Sequence, residues 1–343
     1  MVTISYAQSI FMIPENKQTV VRKALQTAFG ANEFEGIQQL TKGLSSALIF
    51  KIIVRGDPYL LRVITRTDAM GDPGYYFGCM KSGAEAELAP EIYYMNSEDR
   101  ISITGFIREQ PFSISEAREK LPHLFQKLHS LPKFPFRINY FTAMESFMKK
   151  FRKANIVPDD ITKKLFEQYE RIVNVYPRYD QGNWVSCHND SKPENILFDG
   201  KRPWLVDWEG AFLNDRYLDL AVVANFVVKN DKEEAEYLAK YFGEPADEYR
   251  HARFFIMSQM LHLYYFIFFL LTIFAGKMID INNIDKPDFR IFHDRIWNGE
   301  INLADNDAKL GYAHVHLEEF TRKMQTRRLE DSLQIISGYS KSS

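Results

Sequence analysis

The chain has 343 residues, 45% hydrophobic and 14% aromatic, which is enough for a large buried core and for two domains or one large two-lobed one. Lys and Arg number 43 against 45 Asp and Glu, a formal charge of −2, so no basic surplus points to nucleic acid. Cys79 and Cys187 are the whole cysteine content; they cannot make a disulfide framework, and a cytoplasmic location is expected. The opening MVTISYAQSIFMIPENK has no cationic start and carries a proline, so no secretory leader is expected.

Residues 17–29, KQTVVRKALQTAF, place apolar residues at helical spacing, and Gly30 ends the pattern. GIQQL, ALIFKIIV and YLLRVI follow as short β-rich runs, with RGDP (Arg55 to Pro58) as a hairpin turn, which predicts a small antiparallel sheet. GYYFGCMKSGAEAEL reads as a helix stopped by Pro90, and RISITGFI as another strand. From SEAREKLPHLFQKLHSL onward the pattern is mostly amphipathic helix. The exception is central: ILF, a DGKRP turn and WLVDWE predict a hairpin around Asp199 and Gly200. The stretch from Phe254 to Phe274 has the length of a membrane span, but it contains Ser258, Gln259 and His262 and has no companion. A buried helix, and no membrane span, is expected. The predicted class is α+β: a β-rich N-terminal lobe over residues 1–106 and a larger, mainly helical lobe over 107–343.

Within the second lobe, CHNDSKPENILFDG sets a polar run between apolar flanks. Phosphoryl transfer to an alcohol needs a carboxylate to orient the hydroxyl and take its proton, oxygen ligands for Mg²⁺, and a cation on the phosphates. Asp190 is the candidate base. Asn195, five residues on, and Asp207, across the short hairpin, are candidate metal ligands. Lys192 could lie against the transferred group. The same residues are also ordinary turn and capping chemistry; the VDWE segment at hairpin spacing favours catalysis. Glu209 either joins the metal site or caps a loop.

HNDSKPEN resembles the catalytic loop H-x-D-x-K-P-x-N of the protein-kinase-like superfamily. VDWEGAFLNDRYLDLA resembles the metal-binding segment of its choline/ethanolamine kinase and aminoglycoside phosphotransferase branch. The pair HND and DWE is more similar to the choline kinase side. KLHSLPKFP resembles that branch's L-H-x-x-P element, and the likeness runs over most of the chain. The resemblance implies a bilobal protein-kinase-like fold and ATP and Mg²⁺ as cofactors. It implies Asp190 as base, Asn195 and Asp207 as ligands, and His188 as support for the loop. Arg62 in YLLRVI takes the strand position of the phosphate-binding cation, for which a guanidinium is suited. Gly43, Ser45 and Ser46 fall in the phosphate-covering turn, and Thr104, Gly105, Phe106 and Ile107 at the adenine hinge. Asp219 in YLDLA would pin the catalytic loop by hydrogen bonds.

Three departures from the branch stand out. The helix glutamate that should pair with the strand cation falls near Tyr75 and Tyr76, where there is no acid. The tyrosine that should follow the D-[FW]-E element is Gly210, and two late-helix tryptophans align with His262 and Tyr265, which with Glu209 are the candidate substrate residues. Lys192 occupies a position often neutral in eukaryotic choline kinases. The expected function is therefore transfer of the ATP γ-phosphoryl to a hydroxyl of a small molecule, an amino alcohol such as choline or ethanolamine first, an aminoglycoside or other hydroxylated metabolite second. A protein kinase would need D-F-G and A-P-E elements that are absent. A non-catalytic nucleotide-binding protein is the reading of another class. A monomer or homodimer is expected.

Overall fold

The structure, a computed structural model, describes residues 10–40, 47–67, 71–276, 278–279, 281 and 287–339. The chain forms two compact units, Met1–Phe112 with Glu194–Ala211, and Ser113–Pro193 with Phe212–Ser343. The 194–211 stretch, which in sequence lies among helices, thus belongs with the sheet.

The first unit opens with α1, Glu15–Phe29, ended by Gly30 at φ 64°, the left-handed cap that glycine adopts at little cost. Five antiparallel strands follow in the order β1-β2-β3-β5-β4. They are β1 Gly36–Leu40, β2 Leu48–Val54, β3 Asp57–Val63, β4 Ile92–Asn96 and β5 Ile101–Gly105. The β2–β3 turn is the one expected at RGDP. Val54 pairs with Asp57, and Arg55 and Gly56 between them both take positive φ (53° and 82°), the geometry that suits strand twist. Phe50, Ile52 and Val54 alternate onto one face and pack with Val21, Ala24 and Leu25 of α1 and with Leu61, Val63, Ile101 and Ile103. Burying each such side chain contributes about 1.5–3 kcal/mol.

Strand β4 was not legible in the sequence. It is an edge strand, and its register shifts between Ile92 and Tyr94, so the alternation that marks a strand is broken. The expected helix before it shortens to α2, Phe77–Glu85, preceded by a 3-10 turn at Pro73–Tyr75 that Asp72 caps through Gly74 N. The central hairpin, β7 Ile196–Phe198 and β8 Pro203–Leu205, joins this unit through Leu205 N to Leu88 O (2.8 Å) and Gln110 N to Phe198 O (2.7 Å). The Trp208 ring lies on α2 at Gly83, where any Cβ would collide with it.

The second unit holds β6 Trp184–Cys187 paired with β9 Phe212–Asp215, and nine helices among the described residues. These are α3 Ile114–His129, α4 Tyr140–Ala154, α5 Asp159–Val173, α6 Arg216–Val227, α7 Asp231–Phe242, α8 Glu248–Ile273, α9 Phe289–Trp297, α10 Asn306–Lys323 and α11 Arg327–Tyr339. Side-chain caps start several of them, Ser113 accepting from Glu116 N and Asp247 from Arg250 N, each stabilising by about 1 kcal/mol. Helix α8 packs against α6, α10 and α11 and contains the apolar stretch. Among the described residues it is the one helix long and apolar enough to cross a membrane, and 78% of that window is buried inside the protein. Arg253, wholly buried near its start, donates to Asp215 Oδ2 (2.8 Å) and Asp180 Oδ2 (2.9 Å).

Candidate active site

In the sheet-bearing unit the hairpin does what its sequence suggested. Ile196 pairs with Leu205, and Val206 N donates to Asn195 O at 3.0 Å, so Asn195 and Asp207 end next to each other across the strands. Asp207 sits at φ 60°, a left-handed conformation that costs a non-glycine residue energy. Arg62, near the end of β3 and opposite Ile49 and Ser102, is 8% exposed. Its Nη2 donates to Asp207 Oδ1 at 2.9 Å and to Glu209 Oε1. Burial opposes the guanidinium charge, but the two carboxylates outweigh it and hold Arg62 firmly protonated. Asn195, Asp207 and Glu209 together present hard oxygen donors of the kind Mg²⁺ takes.

The strand cation therefore draws its acidic partners from the 207–209 segment. At the helix position where an acid was missing, Tyr75 is exposed and Tyr76 is buried. Thr104, next to the end of β5, lies opposite Leu60, Gly105 N donates to Glu91 O (2.8 Å), and Lys51 Nζ stands 4.8 Å above the Phe106 ring, with Ile107 half-buried. Gly43, Ser45 and Ser46 lie outside the described residues.

In the helical unit the polar loop leaves β6 and is fixed by Asp219 on α6. Asp219 Oδ2 accepts from His188 N (2.8 Å) and Oδ1 from Asn189 N (2.7 Å). His129 Nε2 lies 3.1 Å from Asp219 Oδ2, and its Nδ1 lies 2.7 Å from the Tyr241 hydroxyl. Burial would raise the Asp219 carboxyl, yet these donors keep it below the ordinary range, while burial pushes His129 down. The set fits a neutral His129 that donates through Nε2 to an ionised Asp219 and accepts from Tyr241. Asn214 Nδ2 donates to Asn189 Oδ1 (2.8 Å) and holds the turn, in which Asn189 has φ 64°. His188 is wholly buried, and it is its backbone N–H that Asp219 grips.

Two residues on, Asp190 is delivered to the surface with its side chain 42% exposed, and Lys192 Nζ stands 3.2 Å from its Oδ2. Burial pushes the phenols of Tyr264 and Tyr265 on α8 up, followed for Tyr264 by the Asp190 charge and for Tyr265 by Tyr312 and then Asp190. Tyr265 packs on Tyr312 and His316 (centroids 5.4 and 4.8 Å) and Tyr264 on Tyr140 (6.0 Å). His262, expected at a substrate pocket with Tyr265, is 1% exposed, and its Nδ1 faces His316 Nδ1 at 2.8 Å, so its polar contact runs into the core behind Tyr265. Sequence reasoning did not single out His129, Asn189 or Tyr264 as site residues. The helical spacing of Tyr264 beside Tyr265 was a visible signal, while the partnership of His129 with Asp219 spans 90 residues and has none.

The sequence pattern of the phosphotransferase enzyme family matches residues 37–255, a span that takes in the sheet, the polar loop and the hairpin. The chain belongs to that family. Protein LicA of Haemophilus influenzae is 29% identical over 151 residues, covering 41% of this phosphotransferase and 52% of that protein. The chain thus spans about half the length of the curated relatives it matches. Among solved structures, a choline/ethanolamine kinase family protein from Mesorhizobium loti superposes with TM-score 0.64 at 20% identity, over 94% of this chain and 99% of that one. Choline kinase LicA from Streptococcus pneumoniae superposes with TM-score 0.53 at 17% identity, over 84% and 98%. The α+β fold, with its antiparallel N-terminal sheet and helical remainder, is the fold of these proteins.

Proposed function

We propose that this phosphotransferase is an ATP-dependent small-molecule kinase whose acceptor is an amino alcohol of the choline or ethanolamine type. The observation that carries the kinase reading is the convergence of Arg62, Asp207 and Glu209 beside Asn195, a cation and oxygen ligands assembled from a strand and a hairpin. Asn195 and Asp207 would hold Mg²⁺, and bound there it would neutralise charge across the β- and γ-phosphates. Arg62 orients the nucleotide phosphates by its two-pronged guanidinium. The residues Thr104 to Ile107, at the end of β5, receive the adenine, and Gly43, Ser45 and Ser46 the phosphates.

Asp190 accepts a hydrogen bond from the acceptor hydroxyl and takes its proton as the new phosphorus–oxygen bond forms and the bond to ADP breaks. Lys192, against Asp190, keeps that carboxylate oriented and carries positive charge toward the transferred group. The aromatic character of Tyr264 and Tyr265 beside Asp190 supports a compact cationic acceptor, which phenol faces attract. An aminoglycoside, with many ammonium groups, would ask for many carboxylates in that place.

The test is an ATP-consumption screen over choline, ethanolamine, thiamine, aminoglycosides and sugars. A small amino alcohol should be turned over, and Asp190→Asn should lower kcat by about 10²-fold or more without weakening nucleotide binding. An aminoglycoside as the preferred acceptor would overturn the substrate assignment, and an unchanged kcat in Asp190→Asn would remove the base.

A further inference from the structure

Helices α4 and α5 form a hairpin whose connection turns at Asn155, with φ 49°. A cavity of about 400 Å³ opens between them, a volume of the size that small-molecule sites have. It shares no residue with the site built on Asp190, Lys192 and Tyr264. Helix α4 reaches Tyr264 only through its other end, where Tyr140 packs on that ring, about 14 Å along the helix axis from Lys149. The floor of the cavity is apolar and aromatic, made by the buried side chains of Met148, Phe166 and Tyr169.

The rim is charged, and unevenly. Lys149, Arg152 and Lys153 of α4 line it, and among the described residues none of the three has a carboxylate within ion-pair distance. Glu145, the one acid of α4, stands four residues before Lys149 but is already engaged. Its Oε1 accepts from Arg178 Nη1 (3.0 Å) and from the Tyr169 hydroxyl (3.3 Å). On α5, by contrast, Lys163 pairs with Glu167 and Lys164 with Asp160. The Arg152 guanidinium lies 4.8 Å from the centre of the Phe166 ring, a contact that orients it and leaves its N–H donors for another partner. Cations in a last turn suit the helix C-terminus, which accounts for Arg152 and Lys153 but neither for Lys149 nor for the open space before them. With Glu145 matched to Arg178, three positive charges face one negative, Glu170, around the cavity.

We propose that this cavity binds a phosphomonoester that also carries an ammonium group, the phosphate on Lys149, Arg152 and Lys153 and the ammonium beside Glu170. A phosphomonoester brings a charge of about −1.5 to −2 at neutral pH and three acceptor oxygens, which three cations, one of them an arginine able to bind in two-pronged fashion, match. The aromatic floor suits the carbon chain and the cationic end of such a molecule. A phosphorylated amino alcohol is what the proposed reaction releases, so the enzyme would meet its own product at a second place. That identity of the ligand rests on the kinase reading above; the site itself does not.

The experiment is calorimetric titration of phosphoethanolamine, without nucleotide, into the wild-type protein and into Lys149→Ala/Arg152→Ala/Lys153→Ala. The wild type should bind with a Kd of about 1 mM or tighter, and the triple variant at least 10-fold more weakly. All three side chains are exposed, so the variant should keep the wild-type thermal midpoint and, with no product added, the wild-type initial rate. Glu170→Gln should weaken the binding of phosphoethanolamine and leave that of inorganic phosphate unchanged. Equal binding by the wild type and the triple variant would overturn the proposal. Inorganic phosphate held as tightly as phosphoethanolamine would reduce the site to an unselective anion patch and overturn it as well. Binding that depends on the three cations, in a protein that phosphorylates no amino alcohol, would uphold the site and overturn the kinase reading; turnover of an amino alcohol without such binding would do the reverse.

Discussion

Two acidic clusters hold the polar segments of this chain, and they differ in how they are closed. In the helical unit, Asp219 has no exposed side-chain surface, and its oxygens accept from His188 N, Asn189 N and His129. In the sheet-bearing unit, Asp207 and Glu209 keep 22% and 23% of their side chains exposed and share one arginine nitrogen. The first arrangement has every partner supplied from the protein and no access for another. The second remains reachable. A sealed cluster holds a backbone in place; an open one can exchange its partner for a cation or a phosphate.

The sharpest way to break that contrast is at Asp219. Asp219→Ala strands two backbone N–H groups and the His129 ring in the interior, and should cost about 3–5 kcal/mol, read by denaturant unfolding. It should also abolish turnover by loosening residues 188–190. A loss below about 1 kcal/mol would show the cluster is no more essential than an exposed pair.

Acid comes next. His262, His293 and His316 are buried and held neutral, His293 pushed down to about 3 by burial above all. The unfolded chain protonates each near pH 6.5; folded His293 does not until about 3, and His262 and His316 are held well below their ordinary value by burial. Their contribution to stability is therefore complete above about pH 6.5 and declines as pH falls from there, for His293 down to about 3 and by up to about 1.4 kcal/mol per unit. Replacing His293 by Gln should flatten that decline; an equally steep profile would place its origin elsewhere.

Arg62→Met tests the open cluster. The two carboxylates it leaves retain access to water, so the stability loss should be roughly 1 kcal/mol, well short of that for Asp219→Ala. Nucleotide affinity should fall at least 10-fold, the equivalent of about 1.4 kcal/mol. A stability loss as large as that at Asp219 would erase the distinction drawn here. At the small end, Lys81→Ala removes an exposed i,i+4 pair with Glu85 on α2 and should change stability by no more than about 0.5 kcal/mol.

Much of this was readable from the chain because short-range chemistry carried it. Gly30 announced the end of α1, Arg55-Gly56 the tight turn of β2–β3, and the 196–205 hairpin the meeting of Asn195 with Asp207. The burial of α8 followed from the polar residues inside its apolar run. What was not readable depended on distant partners or broken periodicity. Strand β4 hides behind its bulge. The acid that balances Arg62 was sought on a helix and stands 147 residues away at Glu209, a residue whose place in a metal site or a loop cap had been left open. His262 shared a helix face with Tyr265 in sequence, but its bond to His316 was set by a second helix.

The central claim is that nucleotide and metal are held by Asp207 and its neighbours while Asp190 serves the acceptor. Calorimetric titration of Mg²⁺ and a non-hydrolysable ATP analogue into Asp207→Ala and Asp190→Asn tests it most directly. The account predicts wild-type affinity in Asp190→Asn and loss of the Mg²⁺-dependent part of binding in Asp207→Ala; undiminished Mg²⁺-dependent binding in Asp207→Ala would contradict it.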